Sequence, residues 1–566
     1  MTLRSRLLHP LLLVGALWPA AVLANGFNAT TFVPEPSIEL SRDAAPAPPN
    51  AHVRASVRAP RSLKSNAGPL SKFNGIMRTD SVSMLVDGYI QDGWASAVAI
   101  NPSDPTNCVM GFEEGWDFDP DIPLGALRNG NSTWNSAVFP VGSGIYAGLP
   151  AEPWMVAGNT NGEFYTSMVR QDLYPTDNTR MILARSTNNG LSFNKTFELP
   201  LTTKQDRPMF DIDRPASLGG ASGAHDGKLY MCYDNWGPAG AGYVGSYLEV
   251  IVADTVQREV ALSGTGAPPF RGTQFQPVAG INDGQILMVS NSILSGGAVV
   301  SATFHELNNG GATTAFSKST LAWSPAGQKL GASTHWGVNG HRIDERGSLA
   351  LDRSQGPLRG HLYFLTNRNP YPTDPTQDQG DLYLSVSVTR GATWTMAKLP
   401  SAEGKTQYFP MMDVDTQGWI HVAFYQNESG NQDAGVLNAG RVDVFYMVSR
   451  DGGKSWAPPV RVNELNHVLN MEEPPLGLAS LDYGALGDYM QLRATGTGDQ
   501  SAAYIAWTGY DQYRADDGVG SKKQRVYVTR VSAPAAPAAM PWQTAIAAFA
   551  MAAIGAVGLR RRRRTA

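Results

Sequence analysis

Crowded carboxylates are the first residues in this chain that could do chemistry. Glu113-Glu114-Gly115-Trp116-Asp117-Phe118-Asp119-Pro120-Asp121 places three aspartates on alternate positions. Oxygen donors packed this closely suit Ca2+, a hard cation that takes about six to eight of them. Asp117, Asp119 and Asp121 are therefore the candidate ligands. The spacing matches no EF-hand loop, and a solvated acidic loop fits the same string. Trp116 beside them could stack on a sugar face. A second set stands just ahead of short apolar runs: Asp206 and Arg207, then Arg342, Asp344, Glu345 and Arg346, then Gln407 and Tyr408, then Asp488 and Tyr489. Glu472 and Glu473 lie in the long loop before the last of these. A structural role suits each one too. Asp206 can bond backbone amides with Arg207 paired to it, Tyr489 can sit in a core, and the charges from 342 to 346 can be a solvated cluster. There is no Gly-rich phosphate loop, no His-x-x-x-His zinc pair and no Gly-x-Ser-x-Gly elbow.

Such residues have to be positioned by strands. Val442, Val444, Tyr446 and Val448 alternate as in a half-buried strand and lead into Ser449-Arg450-Asp451-Gly452-Gly453-Lys454-Ser455-Trp456. Asp bonds backbone amides two residues on and Gly accepts positive φ, so Asp451-Gly452-Gly453 reads as a tight turn. Trp456 then returns with its ring toward the core. Weaker copies follow the same plan: Ser387 to Trp394 has Thr389 in place of the Asp, and Ser186 to Phe193 has Asn188 for Asp and Phe for Trp. Arg128 to Trp134 is a remnant. One hairpin repeated in four-stranded units predicts a β-propeller. The pattern resembles the Asp-box (BNR) repeat of the sialidase-like propellers, over roughly residues 90 to 531. In that family the box is a structural turn on the rim, so it implies fold rather than chemistry.

The innermost strand of each unit is expected at Trp94–Pro102, Glu152–Ala157, Asp206–Asp213, Gln274–Gly280, Gly347–Asp352, Tyr408–Asp415 and Asp488–Leu492. That gives an all-β propeller of about seven blades, with six as the alternative, spanning residues 76–531. The 59 Gly, 38 Pro and 13 Trp suit a large, turn-rich β protein.

The resemblance also implies an activity: an exported sialidase-like glycoside hydrolase acting on sialic acid or another acidic glycan terminus. Arginines would clamp the substrate carboxylate, since a planar guanidinium fork matches it and stays charged. Arg207, Arg342 and Arg346 are candidates, with Arg214 or Arg493 as alternatives for the third. Tyr489 would be the nucleophile, helped by Glu472 or Glu473, because a carboxylate nucleophile would repel the anionic sugar. Asp206 would serve as acid/base. Tyr408 and Trp116 would contact substrate. The Phe/Tyr-Arg-Ile-Pro string that opens the family's domain is absent. The other reading is a non-catalytic propeller, displayed at the envelope, that binds glycan or protein.

Both chain ends read as targeting segments. Arg4 and Arg6, the apolar run Leu7–Leu17 and Ala21-Val22-Leu23-Ala24 make residues 1–24 a signal peptide. Residues 25–75 read as a flexible lead-in and 532–541 as a Pro/Ala linker. Residues 542–559 are expected to cross the membrane as a helix, with 560–566 as a basic cytoplasmic tail. This end resembles the C-terminal sorting signals of bacterial envelope proteins (PEP-CTERM-like), which implies a sorting protease as partner. Cys108 and Cys232 read as two buried thiols. A net charge of −4 without a basic stretch before the C-terminus gives no sign of nucleic-acid binding.

Overall fold

Antiparallel hairpins make up nearly all of the described structure. The computed structural model describes residues 62–63, 71–73, 76–83, 93–114, 121–127, 134–140, 150–171, 179–198, 205–214, 223–235, 245–253, 255–262, 271–293, 299–312, 318–323, 347–368, 380–402, 404–427, 441–463, 469–470, 490–496, 501–511 and 523–532. Among these, the strands form seven antiparallel sheets of four or five strands. They are numbered here as blades by their first strands: blade 1, Gly93–Ile100; blade 2, Pro150–Ala157; blade 3, Gln205–Ile212; blade 4, Arg271–Ala279; blade 5, Ser348–Leu351; blade 6, Gln407–Val414; blade 7, Gln491–Thr495. Each first strand packs on the first strand of the next blade, and that of blade 7 packs on that of blade 1. This closed ring of inner strands is consistent with a seven-bladed propeller. The expected innermost strands coincide with the first strands of blades 1 to 6. The seventh begins at Gln491, later than expected, with Asp488 and Tyr489 outside the described residues.

Blade 7 draws on both ends of the chain. Behind Gln491–Thr495 come Ala502–Asp511 and Lys523–Ser532, and then Ile76–Ser83 and Ser71–Phe73. Ser83 pairs with Tyr527 and Arg78 with Val531. Closing the ring this way covers strand edges that would otherwise be free to pair with other chains. Ser71–Phe73 and Ser62–Leu63 fall within the expected aperiodic lead-in, yet both pair into sheets. Their short length, without a full alternation, hid them.

An inner strand has a sheet partner on one side only, so N–H groups on its other side need acceptors. Side chains from neighbouring blades supply them. Val98 N–H donates to Gln491 Oε1 at 2.9 Å, Ala279 N–H to Asp211 Oδ2 at 2.9 Å and Leu349 N–H to Gln276 Oε1 at 2.8 Å. Met412 N–H donates to Ser348 Oγ at 3.1 Å and Ala494 N–H to Asp413 Oδ2 at 2.9 Å. Trp154 Nε1–H reaches Phe210 O to join blades 2 and 3, and the Asn101 amide reaches Asn161 Oδ1 to join blades 1 and 2. The inner strands therefore carry a polar residue at five of the seven junctions, although their other side chains are mostly apolar and buried.

The repeated turn has one geometry in three chemistries. Gly453 N–H donates to Ser449 Oγ, and Ser455 N–H to Asp451 Oδ1, both at 2.9 Å. In blade 5, Gly391 N–H donates to Ser387 Oγ and Thr393 N–H to Thr389 Oγ1, both at 2.8 Å. In blade 2, Gly190 N–H donates to Ser186 Oγ at 3.0 Å and Ser192 N–H to Asn188 Oδ1 at 3.1 Å. Any side chain with an acceptor at this reach closes the turn, which explains the tolerance for Thr and Asn. Gly391 has φ of 80°, and a Cβ there would stand 2.2 Å from the Phe304 ring of blade 4. Trp394 tilts against that same ring at 5.5 Å, while Trp456 and Phe193 pack into clusters shared with the preceding blade. The turn's aromatic residue is thus a wedge between blades.

The cysteines are as expected: Cys108 and Cys232 are buried thiols outside any disulfide. No helix among the described residues is long and apolar enough to cross a membrane. The expected signal peptide and the 542–559 helix lie outside those residues.

Blade 3 buries one unusual carboxyl. Glu249 is 0% exposed and lies directly across from Glu259 on the neighbouring strand. Its Oε1 accepts from the Tyr233 hydroxyl at 3.2 Å, and its Oε2 has no partner. Burial first, and then the Glu259 charge, push its pKa up to about 8. The folded state therefore holds a proton that the unfolded chain releases at ordinary carboxylate pH. Stability is greatest below that range and falls as pH rises through about 8. Glu249→Gln should melt like the wild type near pH 5 and outlast it by on the order of 2 kcal/mol near pH 9. Parallel pH–stability curves for the two would overturn this.

Candidate functional site

The inner strands run from an inlet end, where they begin, to an outlet end, where they finish. Asp206 and Arg207 stand at the inlet of blade 3. The pairing register slips between Asp206 and Met209, so Arg207 and Pro208 form a bulge. Within it Arg207 takes φ of 58°, a left-handed conformation that a long side chain rarely adopts, above all before proline. Its guanidinium Nε lies 3.7 Å from Asp206 Oδ2, and the residue is 7% exposed. Blade 6 repeats the device, with the register slipping between Tyr408 and Met411 and Phe409 at φ 48° before Pro410. Tyr408 stacks on Tyr425 with centroids 5.6 Å apart and is 1% exposed. Burial pushes its hydroxyl far above the ordinary range, and that hydroxyl has no hydrogen-bond partner.

The outlet end gathers charges from four blades. Arg353 Nη2 lies 2.8 Å from Asp211 Oδ2 and also donates to Ala279 O. Arg214 donates to Ala157 O and Gly158 O, 3.9 Å from Asp211 Oδ1. Arg493 donates to Met155 O at 2.9 Å and lies over the Trp154 ring. Asp413 completes the set, accepting from Ala494 N–H. Burial works against the Asp211 carboxylate, but Arg353 and Arg214 outweigh it and hold its pKa down. Burial pulls Arg214 down to about 10, with Arg353 and Arg493 adding to the effect. These guanidinium groups bond strand carbonyls and carboxylates across the axis, so this cluster braces the outlet.

A Ser, a His and an Asp also meet, at the junction of blades 6 and 7. Ser501 Oγ lies 3.2 Å from His421 Nε2 and 2.5 Å from Asp415 Oδ2. Asp415 Oδ2 faces that same Nε2, and Nδ1 is taken by the Tyr446 hydroxyl. A nucleophilic relay needs the Ser and the Asp on opposite ring nitrogens. All three residues are sealed from solvent. The arrangement is a latch between blades.

Of the residues expected from sequence, Arg207 and Asp206 stand together at the inlet, Tyr408 is packed in the core, and Arg214 and Arg493 meet at the outlet. Arg342, Arg346, Glu472, Glu473, Tyr489, Trp116, Asp117 and Asp119 lie outside the described residues. Asp121 opens the strand Asp121–Leu127, but its side chain is not among those described. Sequence reasoning missed Asp211, Asp413 and Arg353. The repeated strings Asp211-Ile212-Asp213 and Asp413-Val414-Asp415 at the ends of two inner strands were the available signal for the aspartates.

No protein-family model matches the sequence, and no curated protein does. Several solved structures are distantly similar. An α-L-arabinanase from Penicillium chrysogenum, complexed with arabinobiose, is 10% identical over 80% of this chain and 98% of that one, with a TM-score of 0.40. An ulvan lyase of a new polysaccharide lyase family, bound to -[GlcA(1-4)Rha3S]-, is 12% identical over 78% and 95%, with a TM-score of 0.44. A protein of unknown function from Dyadobacter fermentans is 10% identical over 81% and 100%, with a TM-score of 0.40.

Proposed function

We propose that this chain is an exported, sialidase-like glycoside hydrolase that takes an acidic glycan terminus at the inlet mouth of its channel. The observation that carries this is Arg207 beside Asp206 at the inlet, a guanidinium that suits a substrate carboxylate next to a carboxyl that can move a proton. In this reading Arg207, Arg342 and Arg346 bind the substrate carboxylate, and Tyr489 attacks with Glu472 or Glu473 as its base. Asp206 moves the proton and Trp116 shapes the sugar site, whereas Tyr408, packed in the core, supports the inlet from behind. The expected signal peptide, C-terminal helix and sorting protease would put the protein in the cell envelope.

The second reading, a non-catalytic propeller that binds glycan or protein, draws support from Arg214 and Arg493. Both alternatives for a third clamp arginine are used up at the outlet. Release of fluorophore from an aryl sialoside separates the two. Wild type should turn it over, and Tyr489→Phe should lose about a thousandfold or more, since one positioned proton-transfer group alone contributes about 10²–10⁴. No turnover, with retention on an acidic glycan array, would establish the second reading instead.

A further inference from the structure

Three carboxylates on the outlet face have no part in the reading above. Asp213 follows the inner strand of blade 3, Asp226 sits in the turn that leads to its second strand, and Asp283 sits in the corresponding turn of blade 4. One oxygen from each lies within 4.8 Å of the other two. Asp213 is 1% exposed. Its Oδ2 accepts from the Tyr230 hydroxyl at 2.7 Å and from Gly284 N–H at 2.9 Å, while its Oδ1 is buried with no partner. Asp226 repeats this: Oδ2 accepts from Gly223 N–H at 3.1 Å, and Oδ1 is buried with no partner. Asp283 accepts from the N–H groups of Ala224 and His225 and faces His225 Nδ1 at 3.0 Å. Its side chain is 35% exposed, which leaves a path for an ion and its waters.

Two orphaned carboxylate oxygens in one cluster are costly unless something positive meets them. A proton can serve, and burial together with the Asp283 charge does push Asp213 upward. A proton can bridge two of the oxygens, whereas a cation meets all three carboxylates at once.

We propose that Asp213, Asp226 and Asp283 hold a divalent cation of the calcium class, which staples blade 3 to blade 4 at the outlet face. The donors are carboxylate oxygens, the choice of a hard cation, and the imidazole nitrogen beside them, His225 Nδ1, is already engaged by Asp283. Calcium accepts irregular, partly hydrated coordination, whereas magnesium demands a near-ideal octahedron.

Equilibrium dialysis of the purified full-length chain against calcium chloride, after stripping with EGTA, tests this. Asp226→Asn keeps an oxygen for Gly223 N–H while removing the charge, and Asp283→Asn removes one from the other blade. Wild type should bind one more calcium ion than either variant, or bind it at least about tenfold more tightly. Losing a mere supporting group of a metal ligand already costs about 10–100-fold. Calcium should also raise the wild-type melting temperature in a concentration-dependent way, with magnesium having little effect. Melting in EGTA shows whether each variant folds; if one does not, the other decides. Equal calcium binding by wild type and a folded variant, or no effect of calcium on the wild type, overturns the proposal.

Discussion

Asp211→Ala should destabilise the ring by about 2–4 kcal/mol, a little less than removing one partner from a fully buried ion pair, which costs about 3–5 kcal/mol. The loss has two sources. Ala279 N–H is left without its acceptor on the open side of an inner strand, and Arg353 and Arg214 face one another without the carboxylate between them. Asp211→Asn keeps an acceptor for Ala279 and should cost less. Arg353→Met added to Asp211→Ala should recover part of the loss, because two absent charges are cheaper than one left unpaired. The same pair sets an acid limit. The Asp211 pKa is held down in the folded state, so its contribution is present above the ordinary carboxylate range and disappears as pH falls through the folded value. Chemical denaturation of the three variants measures this, and a loss below about 1 kcal/mol for Asp211→Ala would show that the cluster does not brace the ring.

Arg207→Gly and Arg207→Ala should differ in stability and agree in function. Glycine takes a φ of 58° without the steric cost that a residue with a Cβ bears, so the glycine variant should be the more stable of the two by up to about 1 kcal/mol. Under the proposed function, the same change removes a guanidinium from the substrate carboxylate and should weaken acidic-glycan binding by about 2–4 kcal/mol. Arg207→Ala leaves the backbone cost in place and should lose the same binding. Thermal melts beside glycan titrations separate the effects. Full binding by a folded Arg207→Gly would remove Arg207 from the site and take the inlet clamp with it.

The framework was legible because it is written in local patterns. Val442 to Val448 alternate, Ser449 to Trp456 closes a hairpin, and Thr389 and Asn188 stand where only an acceptor of the right reach is needed. The outlet cluster carries no such pattern. Asp211 and Arg353 are 142 positions apart and meet only because blades 3 and 5 turn toward one axis. Arg214 and Arg493 were legible as members of an arginine set, but the end of the channel they occupy depends on where each inner strand stops. Arg207 shows a different limit. Its string announces a polar residue before a strand, whereas the left-handed backbone arises from the bulge, which appears only once the neighbouring strand is in register.

The pairing of Ile76–Ser83 with Lys523–Ser532 also has a consequence for biosynthesis. Among the described strands, the first long one to leave the ribosome has to wait for the last. Until then six successive hairpin units are complete, but the circle has a gap and both faces of that gap are sticky. Pairing over so great a sequence separation is slow, and partly built β proteins are prone to associate. A holdase that covers the waiting N-terminal strand would therefore raise the yield of this protein more than one that acts on any single hairpin.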